Sequence, residues 1–116
     1  MVIEELVINY LVSQNIEGIG GHVYAETPVD APDDYVLIQR AGGSQANFIR
    51  QHTVFTEVIS RRSKIDAAKN HEAVIEAMLE MRDHTDVFRC VLNSDYDATN
   101  PARKEYRYQA LWQITT

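Results

Sequence analysis

Several short strings in this chain carry residue types that could do chemistry, and each can be tested against the spacing that chemistry needs. Gly18-Ile19-Gly20-Gly21-His22-Val23 has the glycine density of a dinucleotide loop. Such a loop must follow a strand and open a helix, so that a pyrophosphate meets the helix N-terminus. Here the glycines follow a helical pattern and precede a strand pattern, and Val23 holds the last glycine position, so a plain turn is expected. His71-Glu72 begins like a zinc-protease helix, but the second histidine must fall four residues after the first to reach the same metal. Ile75 stands there, which leaves a solvated or partly buried His-Glu pair.

Asp95-Tyr96-Asp97-Ala98-Thr99 follows the apolar run 87–92 as an aspartyl-phosphate loop would follow its strand. That chemistry needs a nucleophile, a second carboxylate, Mg²⁺ and enough downstream chain to complete a doubly wound sheet, and one strand pattern is all that remains. As a calcium loop the string has Asn100 in place of the turn glycine and Tyr106 in place of the bidentate glutamate. An acidic hairpin loop is the expectation. His22, His52 and His84 fall on separate elements without ligand spacing, and Gly43-Ser44 lacks the pattern of a nucleophile elbow. The lone cysteine, Cys90, lies in an apolar run and reads as a small buried hydrophobe with no thiol partner in the chain, which fits a reducing cytosol. No catalytic residue, metal ligand or cofactor site is expected.

Composition narrows the function classes further. The chain has 116 residues, 45% of them hydrophobic and 24% charged, which fits one globular domain over residues 1–116. Seventeen Asp and Glu against 11 Lys and Arg give a net charge of −6, which repels nucleic-acid backbones and anionic membranes at long range. The basic spots, Arg61-Arg62 with Lys64 and Arg103-Lys104 with Arg107, read as solvated faces or inter-subunit ion-pair partners. The first residues lack a signal peptide's basic stretch and apolar run, and no later segment approaches membrane-spanning length, so a soluble, unexported chain is expected.

The elements that would position these residues follow from periodicity. Ile3, Leu6, Val7, Tyr10 and Leu11 recur at helical spacing over about 2–14, with Glu4 and Glu5 in the first turn. Strands are predicted over 22–26 and 35–41, separated by a proline- and aspartate-rich loop, with 42–45 as a loop or hairpin tip. The β-branched and aromatic stretch 48–60 predicts a long strand whose two faces are both mixed, so its period leaves the core face open. Ser63 is placed to cap a helix over 64–82, with Ile65, Ala68, Glu72, Ile75, Leu79 and Arg82 in one row flanked by Ala67, Val74 and Met78, and Lys69, Asn70, Glu76 and Glu80 outward. A short strand over 87–92, a polar loop over 93–103 containing Pro101, and a clearly alternating strand over 105–115 complete the chain. The fold class is α+β: a mixed or antiparallel sheet of about four to five strands with two helices on one face, in the order α-β-β-β-α-β-β.

That layout resembles a known family. The N-terminal helix, the strand ending at Glu26-Thr27-Pro28, the run from Tyr35 to Arg40 followed by Gly42-Gly43, and the long strand entering Ser60-Arg61 before a helix are similar to the tail terminator, or tail completion, proteins of long-tailed bacteriophages and prophages. The resemblance covers nearly the whole chain. It implies a virion structural subunit that forms a hexameric ring, caps the finished tail tube and joins the head connector, without enzyme activity or cofactor. The partners implied are other copies of itself, the tail tube protein and the connector, and the location is the virion tail or neck after assembly in the host bacterial cytoplasm. Candidate contact residues are Asp30, Asp33 and Asp34, Arg40 and Arg50, Arg61 and Arg62, and Asp95 and Asp97. The alternative is a small metal- or ligand-binding domain that gathers Asp95, Asp97 and His84 around a divalent ion.

Overall fold

The computed structural model describes residues 2–46, 48–84, 86–100, 102 and 105–116; Pro101 and the Arg103-Lys104 pair lie outside the described residues. Helix α1 (Ile3–Ser13) is followed by strands β1 (Val23–Tyr24), β2 (Asp34–Ala46) and β3 (Ile49–Ser60), helix α2 (Lys64–Glu80), a 3-10 turn (Met81–Asp83), and strands β4 (Arg89–Asp97) and β5 (Tyr106–Thr115). The strands form one mixed sheet in the order β1-β2-β3-β5-β4. Among the described residues only the β1–β2 pair is parallel; the other neighbours are antiparallel, in register from Asp34↔Ser60 to Ala46↔Ile49, from Gln51↔Thr115 to Ser60↔Tyr106, and from Arg89↔Thr115 to Asp97↔Tyr108.

Side chains alternate across a sheet, so one buried residue on a strand fixes the faces of all its neighbours. On β3 the helix-facing row is His52, Val54, Thr56, Val58 and Ser60, all buried. The matching rows are Val36 and Ile38 on β2 and Ala110, Trp112 and Ile114 on β5, and together they bury Ile3, Val7, Tyr10 and Leu11 of α1 with Val74, Ile75, Ala77 and Met78 of α2. The core polar groups are satisfied in place: Trp112 Nε1–H donates to Thr56 Oγ1 at 2.9 Å, and Tyr10 O–H donates to the Ala77 carbonyl at 2.6 Å, tying α1 to α2. On the far face a smaller cluster of Tyr35, Leu37 and Ile59 is packed against Tyr24 of β1 and Ala31 of the loop before β2.

The chain leaves α1 through Gly18 and Gly20, at φ 88° and 60°. At Gly18 a Cβ would stand 2.6 Å from Asn70 Oδ1, so both the left-handed backbone and the close approach of α2 require glycine there. Ser63 caps α2 as its position implies: its Oγ accepts from the Asp66 N–H at 3.0 Å and donates to the Asp66 carboxylate at 2.9 Å.

Four sequence expectations are corrected. Gly42 to Gln45 are not a hairpin tip but part of β2, which absorbs a bulge between Arg40 and Gly42 and runs on to Ala46. The predicted strand over 22–26 shrinks to Val23–Tyr24. Residues 93–97 are not a loop, because β4 continues through Asp97 past a second bulge between Leu92 and Ser94. The buried face of α2 takes in Ile75 and the expected flank of Ala67, Val74 and Met78, but it is rotated so that Asn70, expected outward, and His71 are buried, while Ile65 is 65% and Leu79 41% exposed. The polar pairs made by Asn70 and His71 let them face inward and turn Ile65 and Leu79 out.

The parity of the sheet is testable at two neighbouring positions of β2. Ile38→Ala empties fully buried volume and should lower unfolding free energy by about 2–5 kcal/mol, while Gln39→Ala on the exposed side should change it by no more than about 0.5 kcal/mol in urea titration.

Candidate functional site

The acidic and basic residues singled out from sequence fall in three places. The first is the end of the sheet where β2 starts, β3 ends and α2 begins. Asp34 lies not in the preceding loop but at the start of β2, 7% exposed, where its carboxylate accepts from Asn70 Nδ2 at 3.3 Å and pairs with Arg62 Nε at 2.6 Å. Arg61 turns the other way, pairing with Glu105 at 3.5 Å and donating to the Ala31 carbonyl at 3.3 Å. Glu105 and Glu57 both hold Arg107 on the open face of the sheet, and these two carboxylates raise its already high pKa against the opposing cost of burial. Arg61 and Arg62 thus make ion pairs inside the subunit. Asp30 and Asp33 remain on the loop before β2, with the Asp33 carbonyl accepting from the Arg61 N–H at 2.9 Å.

The second place is the seam between α2 and edge strand β4. His71 is 2% exposed; its Nε2 meets Asp95 Oδ1 at 2.5 Å and its ring stacks on Tyr108 with centroids 5.3 Å apart. The other ring nitrogen, Nδ1, is buried without a hydrogen-bond partner, so the tautomer carrying its proton on Nε2 satisfies the Asp95 contact. Asp97 pairs with Lys64 Nζ at 3.0 Å and accepts from the Thr99 N–H at 2.9 Å, and the hydrogen bonds from Thr99 and Lys64 hold its carboxyl down at about 2. His84 is elsewhere, edge-on to Tyr10 and 3.9 Å from Asp86. The trio of Asp95, Asp97 and His84 is therefore not assembled, and among the described residues no group of three or more His, Cys, Asp or Glu is placed to hold a metal ion.

The third place is the β2–β3 hairpin. From Gln39 to Gln51 the described residues are exposed on both faces except the half-buried Gly42, so this segment stands clear of the helical layer as an arm. At its base, Arg40, Arg50 and the buried His52 face Glu4 of α1 and Asp86 across a cleft of about 550 Å³. Burial, then Arg50 and Arg40, push the His52 imidazole below its usual pKa, so it stays neutral near pH 7 and shares a hydrogen bond with Thr116 Oγ1 at 3.1 Å. The Arg40 guanidinium folds back over Gly43, where a Cβ would lie 2.5 Å from Nη2. Neither arginine has a carboxylate partner among the described residues.

No protein-family model and no curated protein matches the sequence. Among solved structures, a chain of the virion of a native gene transfer agent (GTA) particle is similar to it, with a TM-score of 0.63 and 12% identity, over 90% of this chain and 90% of that chain. The two chains share a fold. The shared elements extend across nearly all of both molecules, so the likeness takes in the sheet and the helices as one arrangement and not a single motif.

Sequence reasoning missed the arm and the outward face of α2. The arm had a signal: between Gln39 and His52 the chain has Arg40 and Arg50 and no Asp or Glu, in a protein of net charge −6. The Asp34 clamp had none, because it joins residues separated by 36 positions in sequence.

Two outcomes follow from these geometries. Asp34→Ala strips Arg62 and Asn70 of their shared acceptor and should cost about 1–3 kcal/mol in chemical denaturation. Cys90 is 6% exposed and burial raises its thiol from 9.0 to about 11. The native protein should therefore resist iodoacetamide at pH 8 and react only on unfolding. Its folded-state pKa is raised, so between about pH 9 and 11 the unfolded chain gives up this proton first, and the thiol's contribution to stability, intact below pH 9, is lost across that window.

Proposed function

We propose that this chain is a virion structural protein of the tail terminator or tail completion kind. In this reading it is a single-domain subunit of a homo-oligomeric, hexameric ring that caps the tail tube and meets the head connector, with no enzyme activity and no cofactor. Its place is the tail or neck of the virion, after assembly in the host bacterial cytoplasm.

The observation that carries the reading is the fold shared with a virion chain over 90% of both molecules. The sequence resemblance supports it independently, through the same element order and the Pro28, Arg40 and Gly42-Gly43 features. Surface geometry is in keeping with it. The sheet has an open edge along β4, and beyond Leu37 the outer side of β2 has no neighbouring strand, so unpaired backbone groups face outward on both sides. The contact candidates on accessible surface are Asp30 and Asp33 on the loop, Arg40 and Arg50 on the arm, and Asp95 and Asp97 on the β4 edge. Asp34, Arg61 and Arg62 contribute by holding the subunit's own shape.

The metal-binding alternative is less well supported, since Asp95 and Asp97 are already engaged by His71 and Lys64. Native mass measurement and light scattering, alone and with assembled tail tubes, test the main reading. The expected result is a ring of uniform size that binds tube ends; a strict monomer that never joins tube ends would sink it.

A further inference from the structure

The arm and the outer face of α2 are opposite in character and lie at opposite ends of the molecule. The arm ends in Phe48, 97% exposed and at φ 70°, next to Ile49 at 49% exposed. A left-handed backbone under a bulky residue is strained, and such strain tends to be kept where a site needs it. Behind this apolar tip the arm carries Arg40 and Arg50 and no acid. On α2, Ile65, Ala68, Lys69, Glu72, Ala73 and Glu76 line a shallow, widely open groove of about 440 Å³, with Ile65 and two alanines beside two glutamates and one lysine. Ile65 is 65% exposed there, on a helix whose opposite face is already buried against the sheet.

The register separates the two. The tip follows the Ala46↔Ile49 pair, whereas the groove opens just after Ser60, which pairs with Asp34 at the other end of the same two strands. Strands of this length span roughly 35–40 Å at about 3.4 Å per residue, in keeping with a molecule 45 Å long and about 26 Å across. An arm cannot reach the groove of its own chain.

We propose that the Phe48-Ile49 tip of one copy docks into the Ile65-Ala68-Ala73 groove on α2 of a second copy, with Arg50, next to the tip, facing the Glu72 and Glu76 side of the groove. The inference rests on the ring reading above and specifies the contact that would close such a ring. Tip and groove are different surfaces, so the contact is head-to-tail, the kind that builds cyclic assemblies instead of ending at a dimer. A buried aromatic anchor supplies the affinity, and the charge pairs set orientation and exclude the reversed pairing.

The test uses Phe48→Asp, which removes the tip, and Ile65→Asp, which spoils the groove; both side chains are largely solvent-exposed, and thermal melting checks that each variant still folds. Each variant alone should run as a monomer in native mass measurement, with self-association weakened roughly 30-fold or more. Mixed in equal amounts, they still supply one intact tip and one intact groove, and a one-to-one dimer that grows no further is expected. A folded variant that keeps the wild-type ring overturns the docking and leaves the ring reading standing, as does a mixture that stays monomeric. A wild-type protein that is monomeric at every concentration, with tubes present or absent, overturns both.

Discussion

The constraint on which the rest of the structure depends is the parity of β3. This strand lies in the middle of the sheet, between β2 and β5, and its Val54, Thr56 and Val58 are fully buried. Because strand side chains alternate, committing that row to the helices commits Val36 and Ile38 on one side and Ala110, Trp112 and Ile114 on the other. Slipping either neighbour by one residue would bring its polar row, such as Gln39 or Gln113, under the helices and expose the apolar one. The Trp112–Thr56 hydrogen bond pins the same register from within the core, since a slipped Trp112 would leave its indole N–H without an acceptor.

With both helices on one face, the opposite face must make its own arrangements. It does so with a small aromatic roof at one end, Tyr35 and Tyr24 tilted with ring centroids 6.4 Å apart, and with the Glu57–Arg107–Glu105 cluster further along. The edges are managed as well. Strand β4 ends in Asn93, Ser94, Asp95 and Asp97 with a bulge, and β2 carries its bulge where it loses its outer neighbour, both of which discourage unplanned strand pairing. Among the surfaces the fold leaves uncovered are the arm, the outer lane of α2 and the edge of β4.

Much of this was legible in the sequence, for reasons that differ element by element. Helix α1 and strand β5 could be read because each has one dry face and one wet face, so the hydrophobic period and the structure are the same fact. Strand β3 was found, but its core face was not, since Phe55 and Ile59 on the second row are as apolar as Val54 and Val58 on the first. Helix α2 was legible in its span and in the Ala67, Val74, Ile75 and Met78 part of its buried face, but not in the burial of Asn70 and His71. Burial of Asn70 and His71 is favourable only because Asp34 and Asp95 lie opposite, and those partners are 36 and 24 residues away in sequence. The strand through Gly42-Gly43 read as a turn for a similar reason. Glycine there serves the Arg40 guanidinium lying over Gly43, a contact within the hairpin that composition alone presents as a breaker.

The same asymmetry governs the charged residues that read as contact candidates. Most of the charges that looked like contact residues are consumed within the subunit: Arg62 by Asp34, Arg61 by Glu105, Lys64 by Asp97. Such pairs gain little where they are exposed, but Asp34 is itself buried, so its carboxylate needs the partners that Arg62 and Asn70 supply. The arm is built differently. Among the described residues, its outer strand has one neighbour from Ile38 onward, β5 extends along β3 only as far as the Arg50–Thr116 backbone hydrogen bonds, and the strained Phe48 at the tip is left uncovered. A two-stranded ribbon in water has little to hold it. The arm keeps an aromatic tip, two arginines and no acids under those conditions, so the isolated subunit supports it less than any other part of the sheet.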